Sequence, residues 1–197
     1  MRDHSALFNE IYEKEKWGKG QGSGTGSCPD YCKRYIEFLK KHLNAMTKPC
    51  RVLDLGCGDR RIYRDLNWEE LSGVTYIGVD VAAPVNPPIQ WDFQRDIRGL
   101  FQEIGPVDIV LLKDVIMHWT DEEVEEFMQE LLQCDFKELI LCNSWKYNRK
   151  PEKNELPRTL DPRYSWAPIS VFKEPLNKFP FQFLFNFRFK QVALLRK

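Results

Sequence analysis

The stretch VLDLGCGD, residues 52–59, runs an apolar strand straight into Asp54-x-Gly56-x-Gly58. Without a Cβ, Gly56 and Gly58 let the backbone turn tightly and approach a ligand where no side chain would fit. In open α/β sheets ligands bind at the carboxyl ends of parallel strands, where this turn would lie. Further along come VTYIGVDV (74–81), IQWDFQRD (89–96), VDIVLLKD (107–114) and KELILCNS (137–144), each an apolar run ending in polar residues. Such runs read as buried parallel strands with helical or turn-forming stretches between them. The alternation predicts an α/β sheet with helices on both faces.

Two helices are expected before the sheet. Leu7, Phe8, Ile11 and Tyr12 share one face of residues 5–15, and Pro29 opens a second helix in which Tyr31, Tyr35, Phe38, Leu39 and Leu43 recur at helical spacing. Thr120 with Glu123 predicts a capping box at the head of a helix over 120–132. The tail, 181–197, has two apolar runs close enough for an antiparallel hairpin at the sheet edge. The expected organisation is a single domain: N-terminal helices and a glycine-rich lid over 1–48, a cofactor-binding core over 49–145, and an acceptor loop with C-terminal strands over 146–197.

The 197 residues carry 29 basic and 29 acidic side chains, so no global field would gather nucleic acid or an anionic membrane. No apolar run reaches the roughly 20 residues a bilayer crossing needs, and the polar start MRDHSALFNE lacks a signal-peptide core, so a cytoplasmic protein is expected. The six cysteines lie largely in apolar runs and are expected as reduced, packed thiols. Cys28 and Cys32 could offer two zinc ligands, but with three histidines in the chain no second pair completes a set.

Several ligand loops are excluded by spacing. A dinucleotide fingerprint needs G-x-G-x-x-G, and its third glycine position is Arg61. Gly18-Lys19-Gly20 does not fit the Walker phosphate loop. Asn86-Pro87-Pro88 follows the second strand and continues with Ile89, so it is expected as a rigid turn, not as the Asn-Pro-Pro-aromatic motif of amino-group methylation.

Asp54-x-Gly56-x-Gly58 resembles motif I of the class I S-adenosylmethionine-dependent methyltransferases. The resemblance implies a Rossmann-like fold with a seven-stranded, mostly parallel sheet ending in an antiparallel hairpin, S-adenosylmethionine as cofactor and S-adenosylhomocysteine as product. Asp80, with Val81 beside it, ends the second strand where a carboxylate can accept from both ribose hydroxyls. The family further implies an acidic residue near the adenine amino group, for which Asp96 beside Ile97 is the candidate and Asp92 the competitor. It also implies that Asp54 orients the amino group of the methionine part; Lys113, ending the fourth strand, is placed with the cofactor set.

Methyl transfer to an alcohol needs an aligned acceptor, exclusion of water and a base. His118 and Asp114, after the fourth strand, are the candidates for that base, Asp114 either orienting His118 or serving itself, with a packing or cofactor-side role for the histidine, and neither residue as base, as the alternative. Asp114 and Asn143 could hold Mg²⁺, but two oxygen ligands make a metal unexpected. Residues 16–30, KWGKGQGSGTGSCPD, are expected as a hinged lid contributing Trp17, Gly18 and Ser23, with a flexible linker as the alternative. Tyr12, Trp17-Gly18, the 23–27 run and Arg158-Thr159-Leu160-Asp161 resemble small glycan-modifying methyltransferases found beside or fused to glycosyltransferases in bacteria and chloroviruses. Strand ends facing the sulfonium would form the acceptor side, which points to Lys113, Asp114, His118 and Trp119 after the fourth strand and to Asn143 to Lys146, Trp145 among them, after the fifth. The likeness implies a glycan or small-molecule acceptor, a sugar hydroxyl such as that of rhamnose, contacts from Tyr12, Arg158 and Asp161, and leaves open whether the chain is a whole protein or a domain of a larger glycosyltransferase-containing enzyme. A non-sugar metabolite acceptor and a catalytically inactive cofactor-binding scaffold are the competing readings.

Overall fold

The computed structural model describes residues 4–20, 22–63, 66–146 and 167–197, with the side chain of Glu69 outside that set. Seven strands form one sheet: β1 (Cys50–Leu55), β2 (Val74–Asp80), β3 (Ile89–Gln90), β4 (Val107–Lys113), β5 (Phe136–Ser144), β6 (Gln182–Phe187) and β7 (Lys190–Arg196), in the order β3-β2-β1-β4-β5-β7-β6. The chain divides into two compact units, Met1–Asp96 and Ile97–Lys197, a division that falls inside the expected 49–145 core.

In the first unit, helices α1 (His4–Glu13) and α2 (Pro29–Ala45) precede the sheet as expected. Ile11 is buried on α1, and Tyr35, Leu39 and Leu43 line the buried stripe of α2, which Pro29 opens at its first turn. β1 pairs with β2 in parallel, Asp54 lying beside Gly78 and Leu55 beside Val79. The connection between them holds only single-turn helices among the described residues, Arg61–Tyr63 and Trp68–Glu70. The Asn-Pro-Pro stretch is a turn, with Asn86 in the left-handed region at φ 48°. One expectation needs correcting. The run IQWDFQRD pairs with β2 only at Ile89 and Gln90; Arg95 N and Asp96 N then donate to Asp92 O, closing the chain into a turn in place of a strand.

In the second unit, helices α3 (Ile97–Ile104) and α4 (Asp121–Leu131) flank β4 in sequence. The capping box is formed: Glu123 N donates to Thr120 Oγ1 at 3.2 Å and Thr120 N to Glu123 Oε2 at 2.8 Å. β4 and β5 are parallel, and their inner residues, from Ile109 to Leu112 and from Leu139 to Cys142, are buried. The C-terminal hairpin is present, with β7 antiparallel to both β5 and β6. Among the described residues no helix is long and apolar enough to cross a membrane.

Candidate functional site

The glycine turn is a closed hydrogen-bonding system. Gly56 and Gly58 have φ values of 75° and 54°, in the left-handed region where glycine is favoured. Gly56 N and Cys57 N donate to Val79 O, Gly58 N to Asp80 Oδ2 at 2.8 Å, Asp59 N to Ser23 Oγ at 3.0 Å, and Arg60 N to Cys57 O. Every amide from 56 to 60 is therefore occupied. A phosphate-binding loop offers such amides to its ligand, so this turn has none to give to a pyrophosphate. Asp80 is 7% exposed, and Ala82 N holds its second oxygen at 2.9 Å. Burial pushes its carboxyl above the ordinary range, with the Ala82, Gly58 and Val81 amides pulling the other way.

The glycine-rich stretch forms a clasp on this turn. Ser23 Oγ donates to Asp59 Oδ1 at 2.9 Å while Ser23 N reaches Asp59 Oδ2 at 3.3 Å. With the serine proton spent, Tyr12 is the donor in the 3.0 Å contact between the two hydroxyls. A Cβ on Gly58 would collide with Ser23 Oγ and lie 3.1 Å from Tyr12 Oη; one on Gly22 would collide with Asp59 and Arg61. Burial, then the charge of Asp80, pushes the Tyr12 phenol up. Trp17 packs against Tyr12 edge-on at 5.3 Å, and Asn9 Oδ1 accepts from Ala83 N just past Asp80. The segment is thus tied to the chain after β1 and after β2, which is not the geometry of a free linker.

Arg61, whose side chain breaks the dinucleotide spacing, has a positive role. Its Nε holds Asp59 Oδ2 at 2.6 Å and its Nη1 reaches Gly20 O at 3.4 Å. Neither Asp59 nor Arg61 was expected from the sequence, because the contact spans 36 residues to Ser23. Tyr76 was also unforeseen: its hydroxyl donates to Asp54 Oδ2 at 2.7 Å, and its ring lies 4.5 Å from Trp68 and 5.9 Å from Tyr63. Gly78, two residues on and on the same face, leaves that ring room. Asp96 is exposed, with its carbonyl accepting from Trp91 Nε1, and Asp92 pairs with Arg95. Burial pushes the Cys57 thiol up, so it is no thiolate. Cys32, one of the two considered zinc ligands, donates to Gly26 O.

The second unit gathers charge at the ends of β4 and β5. Asp114 has φ 57°, a left-handed conformation that costs about 1 kcal/mol or more for a residue with a Cβ. Its two oxygens are each held by an ammonium, Lys113 at 2.5 Å and Lys190 at 2.6 Å, and Lys190 also donates to Ser144 Oγ at 2.9 Å. Burial alone would raise the Asp114 carboxyl, but the Lys113 and Lys190 charges outweigh it and hold it down to about 2. With an ammonium on each oxygen the carboxylate is ill suited to a dication, and Asn143, 2% exposed, makes no bond to it. The residues do not fit Mg²⁺. Lys190 escaped sequence reasoning because it comes from an antiparallel strand 46 residues away from Ser144.

His118 ends the single turn Ile116–His118 and is 6% exposed. Trp119 is 2% exposed, with its ring edge-on against Phe127 of α4 at 4.9 Å. Ile97 is likewise buried, in the first turn of α3. Trp145 is half-buried, with Lys146 Nζ 4.7 Å over its ring. Arg158, Asp161, Tyr147, Tyr164 and Trp166 lie outside the described residues.

No protein-family model and no curated protein sequence matches the chain. Solved structures are similar. The small RNA methyltransferase HEN1 superposes with a TM-score of 0.63 at 16% identity, over 86% of this chain and 25% of HEN1, so the chain spans a quarter of that protein. The magnesium protoporphyrin IX methyltransferase ChlM from Synechocystis PCC 6803 with bound SAM gives 0.57 at 16% identity, over 98% of this chain and 97% of ChlM. Human N-acetylserotonin methyltransferase in complex with SAM gives 0.57 at 15% identity, over 100% and 60%. The likeness shows the fold, that of the Rossmann-like class I methyltransferases.

Proposed function

We propose that this chain is an S-adenosylmethionine-dependent methyltransferase that methylates a sugar hydroxyl of a glycan or glycoconjugate. The observation that carries the cofactor half is the glycine turn with its amides consumed and Asp80 pinned at both oxygens. A turn without free amides suits a cofactor held through ribose hydroxyls, and opposes one held through phosphates. The shared fold with structures described with bound SAM supports the same reading. When bound, the cofactor supplies an electrophilic methyl group; this chain's residues bind, orient and shield it. Asp80 would accept from the ribose hydroxyls, Asp54 would face the methionine part, and the Ser23 clasp with Tyr12 and Trp17 would exclude water.

On the acceptor side, a carboxylate held down to about 2 is a weak base at neutral pH. We assign the proton of the attacking hydroxyl to His118, at the end of the single turn that follows β4. The resemblance of the 12–27 segment and of Arg158 to Asp161 supports a sugar as acceptor. Calorimetry with S-adenosylhomocysteine tests the cofactor, and mass spectrometry of a sugar panel incubated with S-adenosylmethionine tests the transfer. Absence of S-adenosylhomocysteine binding, or binding unaltered by Asp80→Asn, rejects the assignment.

A further inference from the structure

Three buried polar atoms on one stretch of the second unit have no hydrogen-bond partner among the described residues: Nδ2 and Oδ1 of Asn143, and Nε1 of Trp145. The strand pairing fixes their direction. Asn143 stands opposite Gln191 and Ser144 opposite Lys190, and side chains alternate faces along a strand, so Asn143 points away from the Lys190–Asp114 cluster. The ladder continues one residue further, where Trp145 N donates to Phe189 O at 3.0 Å, which puts Trp145 on the Asn143 side. Gln191, the cross-strand neighbour, does not satisfy them. Its Oε1 is taken by Val171 N at 2.8 Å and Ser170 Oγ at 3.2 Å.

A buried amide left without partners loses its hydration and gains nothing, so folding alone disfavours it. Such a group is completed by an ordered water or by a ligand. Asn143 can donate and accept at once, as a hydroxyl does, whereas an anionic group would call for donors only. The half-buried indole adds an apolar face and one more donor. Resting on the methyltransferase reading above, we propose that Asn143 and Trp145 form the acceptor subsite, and that it takes a neutral polyhydroxylated ring such as a pyranose. Asn143 pairs with one ring hydroxyl in both directions, and Trp145 Nε1 donates to a neighbouring oxygen.

The test uses Asn143→Leu, which keeps the side-chain shape and deletes both polar atoms, and Trp145→Phe, which keeps an aromatic face and deletes the donor. Rhamnose, fucose and glucose are the probes. Asn143→Leu is expected to raise Tm by about 2–4 °C, leave S-adenosylhomocysteine affinity unchanged, and raise KM for the methylated sugar about tenfold or more. Trp145→Phe should raise KM by a smaller factor at unchanged cofactor affinity. An unchanged KM in Asn143→Leu overturns the subsite, and so does a variant that melts lower or does not fold, since either makes the amide structural. If the wild type binds S-adenosylhomocysteine yet methylates none of the three sugars, the pyranose assignment falls while the cofactor reading stands. If it binds no S-adenosylhomocysteine, the methyltransferase reading itself falls.

Discussion

Replacing Asp114 by asparagine removes the one carboxylate that Lys113 and Lys190 share, at 2.5 Å and 2.6 Å. The carboxyl is held from 3.8 down to about 2, and at about 1.4 kcal/mol per pH unit that lowering is worth on the order of 2 kcal/mol of folding stability. The variant loses more than this. Lys190 is 5% exposed and would keep only Ser144 Oγ among the described residues, and breaking a buried pair from one side costs about 3–5 kcal/mol. Urea unfolding at pH 7 should therefore place Asp114→Asn about 3–5 kcal/mol below the wild type. Adding Lys190→Met, which removes the stranded charge, should recover at least half of the loss. The sign of the pH dependence follows from the lowered value: the stabilisation is complete above about 4 and is lost as the pH falls through about 2. The gap between wild type and variant must narrow over that window. A deficit under about 0.5 kcal/mol at pH 7, or one equally large near pH 2, refutes the charge-balance argument.

Three other outcomes are expected. Gly58→Ala, at φ 54° and with its new methyl driven into Ser23 Oγ, should cost about 2 kcal/mol or more in thermal or urea unfolding and weaken S-adenosylhomocysteine binding; a wild-type affinity would mean the clasp is not seated on the turn. Asp80→Asn should weaken S-adenosylhomocysteine about tenfold or more by calorimetry. In the wild type, because burial raises the Asp80 carboxyl, that binding should fall on acidification at a higher pH than an ordinary aspartate would give. Thr120→Ala breaks the capping box of α4 and should cost about 1 kcal/mol of stability without changing cofactor affinity.

Much of the first unit was legible in the chain. Asp54, Gly56, Gly58 and Asp80 sit at the strand ends where the apolar runs placed them, since burial on both faces of a parallel sheet leaves a nearly continuous apolar signature. The hairpin and the capped α4 were legible for the same reason, each being written in a short local pattern. IQWDFQRD misled because its apolar residues can equally fill a turn against the sheet, and periodicity over so short a run does not separate the two.

By itself the sequence determined the α/β class, the position of the glycine turn and the absence of the third glycine, because each depends on residues close together in the chain. Tertiary structure alone decided what those residues touch. It turned a glycine-rich stretch into a clasp by bringing Ser23 to Asp59, disqualified Asp114 as a strong base by delivering Lys190 across the β5–β7 ladder, and left the amide of Asn143 without a partner among the described residues. Those outcomes depend on distances across the fold and on burial, which set the strength of a charge and the cost of an unpaired polar group, and neither quantity is local to the chain.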